Sequence, residues 1–370
     1  MEGKRLIEKL RLRNILSFGD KGEEIELLPL NVIIGQNASG KSNLVDVIKL
    51  LRSLTRENGF ANFISRNGGI NEWIWKGKNT GFSKIEVWTL DYIDPSHYEI
   101  NFEDLNQRSN VAKEIIENTE NNSSYSKKRS SSDSFFSNIL PEFIDKGAYF
   151  AYLKTRNLFS ILTFFTELQT NRSSEIRKPQ LPDAPNNFLE EDASNLALVL
   201  NDLEHRGDAK DKIIKNLRKF NPRIKDYSVR ILGGTVQLFI REEGLEKPIS
   251  AMRLSDGTLR YLCLLAILCH PEPPPLICIE EPETGLHPDI LPTIAELMKE
   301  ARHRTQLIVT THSDILVSAF SEIPEAILVC EKDEDGTHFK RLEKEKLESW
   351  LEEYALGEVW LKGEIGGTRW

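Results

Sequence analysis

The sequence predicts an α/β protein with a mixed or parallel core sheet, an antiparallel β lobe ahead of it and a helical insertion within it. Three observations predict this. The apolar run Leu30-Asn31-Val32-Ile33-Ile34 leads into Gly35-Gln36-Asn37-Ala38-Ser39-Gly40-Lys41-Ser42, and Asn43 to Leu51 then carry apolar residues at helical spacing. Two further runs of strand length, from Leu276 to Ile279 and from Leu307 to Val309, each end in polar residues. Residues 5–34 alternate as strands do, in Leu10-Arg11-Leu12-Arg13 and Glu24-Ile25-Glu26-Leu27, with Gly19, Gly22 and Pro29 as turn signals.

The glycine loop fits G-x-x-x-x-G-K-[ST] in the strand–turn–helix setting that this motif requires. It is a P-loop, a cradle for phosphates. Gly35 and Gly40 let the backbone turn with its N–H groups inward, and the next helix starts with its positive dipole end at the same point. Residues Gly35, Gln36, Asn37, Ala38, Ser39, Gly40, Lys41, Ser42 and Asn43 are therefore the expected nucleotide-binding set. Lys41 would reach the β- and γ-phosphates of ATP, and the Ser42 hydroxyl would ligate Mg2+. An ordinary glycine turn would leave the spacing and both flanks unexplained.

Residues 1–105 are expected to form the β lobe with the P-loop and first helix, that helix ending near Asn58-Gly59. Ser83 to Leu90 and His97 to Phe102 look like a strand pair. Residues 106–137 are polar, with Asn121-Asn122-Ser123-Ser124 and Lys127-Lys128-Arg129, and are expected to be a mobile surface insertion. Residues 138–228 should be a helical insertion: the aromatic- and leucine-rich stretch 148–170, then Ala193 to His205 and Asp211 to Phe220. Gly233-Gly234 between Val229–Leu232 and Val236–Ile240 has the form of a hairpin turn and opens a C-terminal lobe, 229–342, followed by a tail, 343–370. No heptad run is long enough for a coiled-coil arm, and there are no internal repeats.

The C-terminal lobe supplies three more candidate groups. Glu280 and Glu281 close an apolar strand, where a carboxylate can hold Mg2+ through water and its neighbour can act as general base on an attacking water. The competing reading is an exposed acidic turn, since Pro282-Glu283 follows. His312 ends the next strand and could hydrogen-bond a γ-phosphate or that water; a structural histidine is the alternative. Leu254-Ser255-Asp256-Gly257-Thr258 precedes a helical stretch, so Ser255 and Gly257 could form an anion site at a helix N-terminus, or Ser255 could be a plain cap.

The composition, 39% hydrophobic and 28% charged, is that of a soluble globular protein. With 48 basic and 57 acidic residues the formal charge is −9, which does not call for nucleic acid, although a local basic patch such as Lys127 to Arg129 leaves DNA open. The cysteines Cys263, Cys269, Cys278 and Cys330 show no C-x-x-C spacing, and three lie in apolar runs, as reduced thiols do. The charged opening with Glu2, Lys4, Arg5, Glu8 and Lys9 is not a signal peptide, and the apolar stretch Tyr261 to Cys269 is too short to span a bilayer. A cytoplasmic protein with no membrane partner is expected.

The order of the four motifs (P-loop, Leu-Ser-Asp-Gly-Thr, strand–Glu-Glu, strand–His) resembles the ABC-type ATPases, in particular their soluble RecF- and SMC-like heads and the compact OLD-like ATPases of prokaryotic antiphage defence and DNA-maintenance loci. Leu12-Arg13-Asn14-Ile15-Leu16-Ser17-Phe18 and Ile279-Glu280-Glu281-Pro282-Glu283-Thr284-Gly285-Leu286-His287-Pro288 are similar to that branch. The resemblance implies an ATPase that forms a homodimer, or a higher oligomer built on it, with two ATP molecules sandwiched between heads. By it Leu254, Ser255, Asp256, Gly257 and Thr258 are the signature acting in trans, Glu281 the base, His312 the switch histidine, and Ser42 with Glu280 the Mg2+ side. Thr284 to His287 hold the place of the loop that crosses the dimer interface. Two departures stand out: the signature reads L-S-D-G-T, and no glutamine lies between Ile70 and Lys78, where the family's Q-loop is sought. The short tail is smaller than the nuclease domain that such relatives often carry, which implies an effector protein encoded nearby. The alternatives are a DNA-repair or maintenance ATPase that clamps DNA between its heads, and an ATP sensor that does not hydrolyse.

Overall fold

The alternating segments and the apolar runs form two different sheets, joined through the helix that follows the P-loop. A computed structural model describes residues 1–77, 81–90, 95–120, 122–137 and 145–367, with the backbone alone at 128–130. Its strands, in chain order, are β1 (Ile7–Arg13), β2 (Glu23–Glu26), β3 (Leu30–Gly35), β4 (Ser83–Thr89), β5 (Ser96–Leu105), β6 (Arg108–Asn118), β7 (Ser124–Ser131), β8 (Thr163–Phe165), β9 (Ile224–Leu232), β10 (Thr235–Glu242), β11 (Ile249–Ser250), β12 (Leu276–Glu280), β13 (Gln306–Thr310), β14 (Ile327–Asp333) and β15 (Gly336–Arg341). The core sheet runs β15-β14-β3-β13-β12-β8, and only β15 is antiparallel to its neighbour. The lobe sheet, β2-β1-β4-β5-β6-β7, is antiparallel throughout. A third sheet, β11-β10-β9, carries the expected Gly233-Gly234 hairpin.

Side chains alternate across a strand, so each core-sheet strand feeds two separate apolar layers. Leu30, Val32, Ile34, Ile277, Ile279, Leu307 and Val309 point into one layer with the helices Asp256–Leu268 and Leu291–Ala301. Ile33, Cys278, Ile308, Leu328 and Cys330 point into the other, against the helix Lys41–Ser53 and the lobe sheet's Leu10, Leu12, Ile85 and Val87. The helix Lys41–Ser53 is thus packed on both sides, and Leu44, Val47, Ile48 and Leu51 are fully buried. Truncating any one of them to alanine removes contacts worth about 2–5 kcal/mol.

The stretch 106–137 differs from expectation. It carries β6 and β7 at the edge of the lobe sheet instead of a mobile loop. Composition alone hid the strand pattern: Val111 and, past the bulge that follows it, Glu114 and Ile116 face inward and the polar residues cover the open face. The stretch 148–170 is helical only over Lys146–Ser160, after which Thr163–Phe165 pairs with β12 as the sixth core strand. The first helix ends at Ser53, and a separate one, Gly59–Arg66, follows. Residue 121 and residues 138–144, within the two expected insertions, and Lys78 and Trp370 lie outside the described residues. Among the described residues no helix is long and apolar enough to cross a membrane.

Candidate functional site

Because β3, β12, β13 and β14 are parallel, their C-terminal ends lie along one edge of the core sheet, where ligands of open α/β sheets bind. Residues far apart in sequence meet there. The register sets Glu280 beside Thr310, Thr310 beside Ile33 and Cys330 beside Gly35. A cleft of about 390 Å³ results, lined by Asn37, Ala38, Gly40, Lys41, Ser42, Asn43, Glu281, Thr310, His312 and Lys332.

The P-loop side is a helix N-terminus left open. Gly40 caps the helix Lys41–Ser53 at φ 114°, contributes no side-chain cap, and no acidic residue occupies the first turn. The first N–H groups therefore face the cleft unneutralised, an anion site by construction. Lys41 Nζ donates to the carbonyls of Gly35 at 2.8 Å and Gln36 at 2.7 Å. Burial pushes its pKa below the ordinary lysine value, with Glu281 among the groups that oppose the shift. Ser39 Oγ is buried with no hydrogen-bond partner among the described residues.

Glu280 at the end of β12 shares a hydrogen bond with Ser42, and its Oε1 lies 3.5 Å from Lys49 Nζ. Burial raises the Glu280 carboxyl above its usual range, against the pull of Lys49 and Ser42. Glu281 takes a left-handed backbone, φ 46°, while its N–H donates to the Thr310 carbonyl at 2.9 Å. This turn swings its carboxylate over the P-loop side: Oε1 lies 3.8 Å from His312 Nε2, and Oε2 accepts from Thr284 Oγ1 at 3.3 Å. Glu283 is the residue that the acidic-turn pattern concealed. Its Oε1 accepts from Thr311 Oγ1 at 2.7 Å and from the His312 N–H at 2.8 Å, which ties the Glu-Glu-Pro-Glu turn to the end of β13. Burial raises its carboxyl too.

The residues Leu254 to Thr258 are not part of this cleft. Ser255 caps the helix Asp256–Leu268, accepting from the Thr258 N–H at 3.1 Å, and both Ser255 and Asp256 are exposed. Asp256 pairs with the buried Arg177, whose guanidinium also donates to the carbonyls of Leu254 at 2.6 Å and Thr170 at 2.9 Å. Arg260 donates to the Thr284 carbonyl at 2.8 Å, so this helix touches the turn after Glu281. The structure thus gathers Lys41, Ser42, Glu281 and His312 at one cleft, sets Glu280 behind it beside Ser42, and places the Ser255 turn outside it. Lys332 and Glu283 escaped sequence reasoning because only the tertiary fold brings them to the cleft, and Arg177 because only the fold brings it to the Ser255 turn. A larger groove, about 1230 Å³, is lined by Arg52, Phe188, Glu191 and Pro273 to Pro275 and shares no residue with the P-loop.

The chain is similar in structure to solved SMC heads. One, bound to the C-terminal winged-helix domain of ScpA, aligns at a TM-score of 0.62 and 16% identity, covering 92% of this chain and 99% of that one. A head from Pyrococcus furiosus with an extended coiled coil, bound to the C-terminal domain of ScpA, gives a TM-score of 0.56 at 14% identity, with 94% and 98% covered. A head with coiled coil and joint from Pyrococcus yayanosii gives 0.55 at 12%, with 94% and 99% covered. At these identities the likeness establishes the fold alone, that of an SMC head domain. The comparison with proteins of curated function returned no match. A family model described as "AAA domain, putative AbiEii toxin, Type IV TA system" matches residues 30–318. With the P-loop, the Glu280 strand and His312 all inside that span, the chain belongs to this AAA-domain ATPase family.

Proposed function

We propose that the protein hydrolyses ATP, and that two copies close head to head around two ATP molecules to control a partner effector, a nuclease or toxin, in a prokaryotic defence system. The observation that carries this is the division of the site. One copy gathers a P-loop, a carboxylate beside a P-loop hydroxyl, a second carboxylate and a histidine, while its Ser255-Asp256-Gly257 turn stands exposed elsewhere. A γ-phosphate on the P-loop would meet that turn only on a second copy, whose helix N–H groups and Ser255 hydroxyl would stabilise it.

The geometry supports the following roles. Lys41 leaves its two carbonyl partners for the β- and γ-phosphates. Glu281 takes the proton of the attacking water as general base, and His312 orients that water or the γ-phosphate. Two hard oxygen donors already in contact, the Ser42 hydroxyl and the Glu280 carboxylate, fit a magnesium ion. When bound there, that ion would offset the phosphate charge. The likeness to SMC heads that hold a ScpA domain supports a protein partner. The same likeness supports a second reading, a DNA-maintenance clamp, and DNA binding that strengthens with ATP and weakens with salt would select it.

Glu281→Gln is the test. It should lower turnover about 10²- to 10⁴-fold, the ordinary share of a general base, and accumulate an ATP-bound dimer seen by light scattering. Turnover at the wild-type rate would sink the base assignment, and an oligomeric state indifferent to ATP would sink the dimer.

A further inference from the structure

The segment 356–367 packs against two elements that lead into the nucleotide cleft, the helix after His312 and the first P-loop glycine. At its start, the helix Leu356–Leu361 lies against the helix Asp314–Ser318, which begins directly after His312-Ser313. The approach is so close that a Cβ on Gly357 would fall 2.0 Å from the Asp314 carbonyl oxygen and 2.4 Å from Ser318 Oγ. The Leu356 N–H donates to Ser321 Oγ at 2.9 Å. At its end, Gly367 sits against the first P-loop glycine. A Cβ there would lie 2.8 Å from Val329 Cγ1 and 3.3 Å from the Cα of Gly35, and φ is 58°, a left-handed backbone suited to glycine.

Gly367 is held there from both sides. Its N–H donates to Glu331 Oε1 at 2.9 Å, and its carbonyl accepts from Trp360 Nε1 at 2.7 Å. Trp360, 1% exposed, is anchored in the main apolar layer, so it braces the whole turn. Gly35 in turn offers the carbonyl to which Lys41 Nζ donates, and β14, with Val329 and Glu331, pairs with β3 up to that glycine. One short segment therefore bears on the Lys41 side of the cleft through Gly367 and on the His312 side through Gly357.

We infer that segment 356–367 is a positioning element of the nucleotide site: it fixes the P-loop entry at Gly35 relative to the His312 loop, so nucleotide affinity depends on how it is seated. This rests on the P-loop cleft binding nucleotide, though not on hydrolysis or dimerisation. Two full-length variants test it. Gly367→Ala sets a methyl against Val329 and Gly35 in a left-handed backbone. Trp360→Phe keeps a buried aromatic ring but removes the N–H that holds the Gly367 carbonyl, together with part of the indole, whose lost packing the urea midpoint reads.

Binding of a fluorescent ADP, which needs neither turnover nor a partner copy, is the readout, with urea unfolding of the nucleotide-free protein beside it. Gly367→Ala should weaken the Kd about five- to tenfold. Trp360→Phe should weaken it about threefold, the share of one hydrogen bond. Folded variants that bind within about twofold of wild type overturn the inference, as does a lowered urea midpoint with unchanged Kd, the mark of a purely structural tail. If Gly367→Ala does not fold, Trp360→Phe decides. A wild-type protein that fails to bind ADP overturns the site reading and this inference with it, whereas wild-type binding with insensitive variants overturns this inference alone.

Discussion

Replacing Glu114 by glutamine is expected to remove a pH dependence of stability. Glu114 lies on β6 under the lobe sheet, 2% exposed, and accepts from Tyr98 Oη at 2.7 Å, Ser134 Oγ at 2.6 Å and the Phe135 N–H at 2.7 Å. Burial pushes its carboxyl from 4.5 up to about 7, although all three hydrogen bonds pull the other way. A carboxyl raised in the folded state stabilises the fold fully below its unfolded value, and that contribution is lost as pH rises through the folded one. The window here runs from 4.5 to about 7, and at 1.36 kcal/mol per pKa unit the loss is about 3 kcal/mol. Urea unfolding of wild type and Glu114→Gln across that window measures it, because every other titrating group cancels in the difference. The gap between the two stability curves should change by about 3 kcal/mol, shifting against the wild type as pH rises. Parallel curves would refute the raised carboxyl of Glu114.

Two further outcomes concern the site. Glu283→Ala leaves the Thr311 hydroxyl and the His312 N–H without their shared acceptor. With this tie to the end of β13 gone, kcat should fall about 10- to 100-fold, the equivalent of roughly 1.4–2.8 kcal/mol, with fluorescent-ADP affinity close to wild type; loss of nucleotide binding instead would show that Glu283 supports the P-loop itself. Arg177→Lys cannot reproduce the planar fan to Leu254, Thr170 and Asp256. In a Glu281→Gln background it should abolish the ATP-dependent dimer by light scattering while the monomer still binds ADP, and an undiminished dimer would remove Arg177 from the signature's support.

The P-loop was legible because its chemistry is local: glycine spacing, a preceding apolar strand and a following helix all lie within about 20 residues. Glu280, Glu281 and His312 were legible one at a time, as polar ends of apolar runs. Their meeting was legible only through the resemblance in motif order, since it depends on the parallel order β14-β3-β13-β12, which no single segment encodes. β8 is three residues long and carries no period to read. The strands β6 and β7 were lost to composition, because serines and lysines on an open sheet face look like a solvated loop. Glu283 fell within an acidic turn, and only its contact with β13 separates it from a surface charge. The nearness of Gly367 to Gly35 spans most of the chain, beyond any local pattern.

The left-handed backbone of Glu281 puts a price on its position. A side chain other than glycine, asparagine or aspartate is disfavoured at φ 46° by roughly 1–2 kcal/mol. Selection for stability alone would place glycine there, and the chain carries a carboxylate instead. The fold is therefore less stable at this residue than its backbone allows, and what it retains in exchange is a charged group aimed at the cleft. With Glu281 as the proposed base, folding and chemistry make opposite demands on the same sequence position.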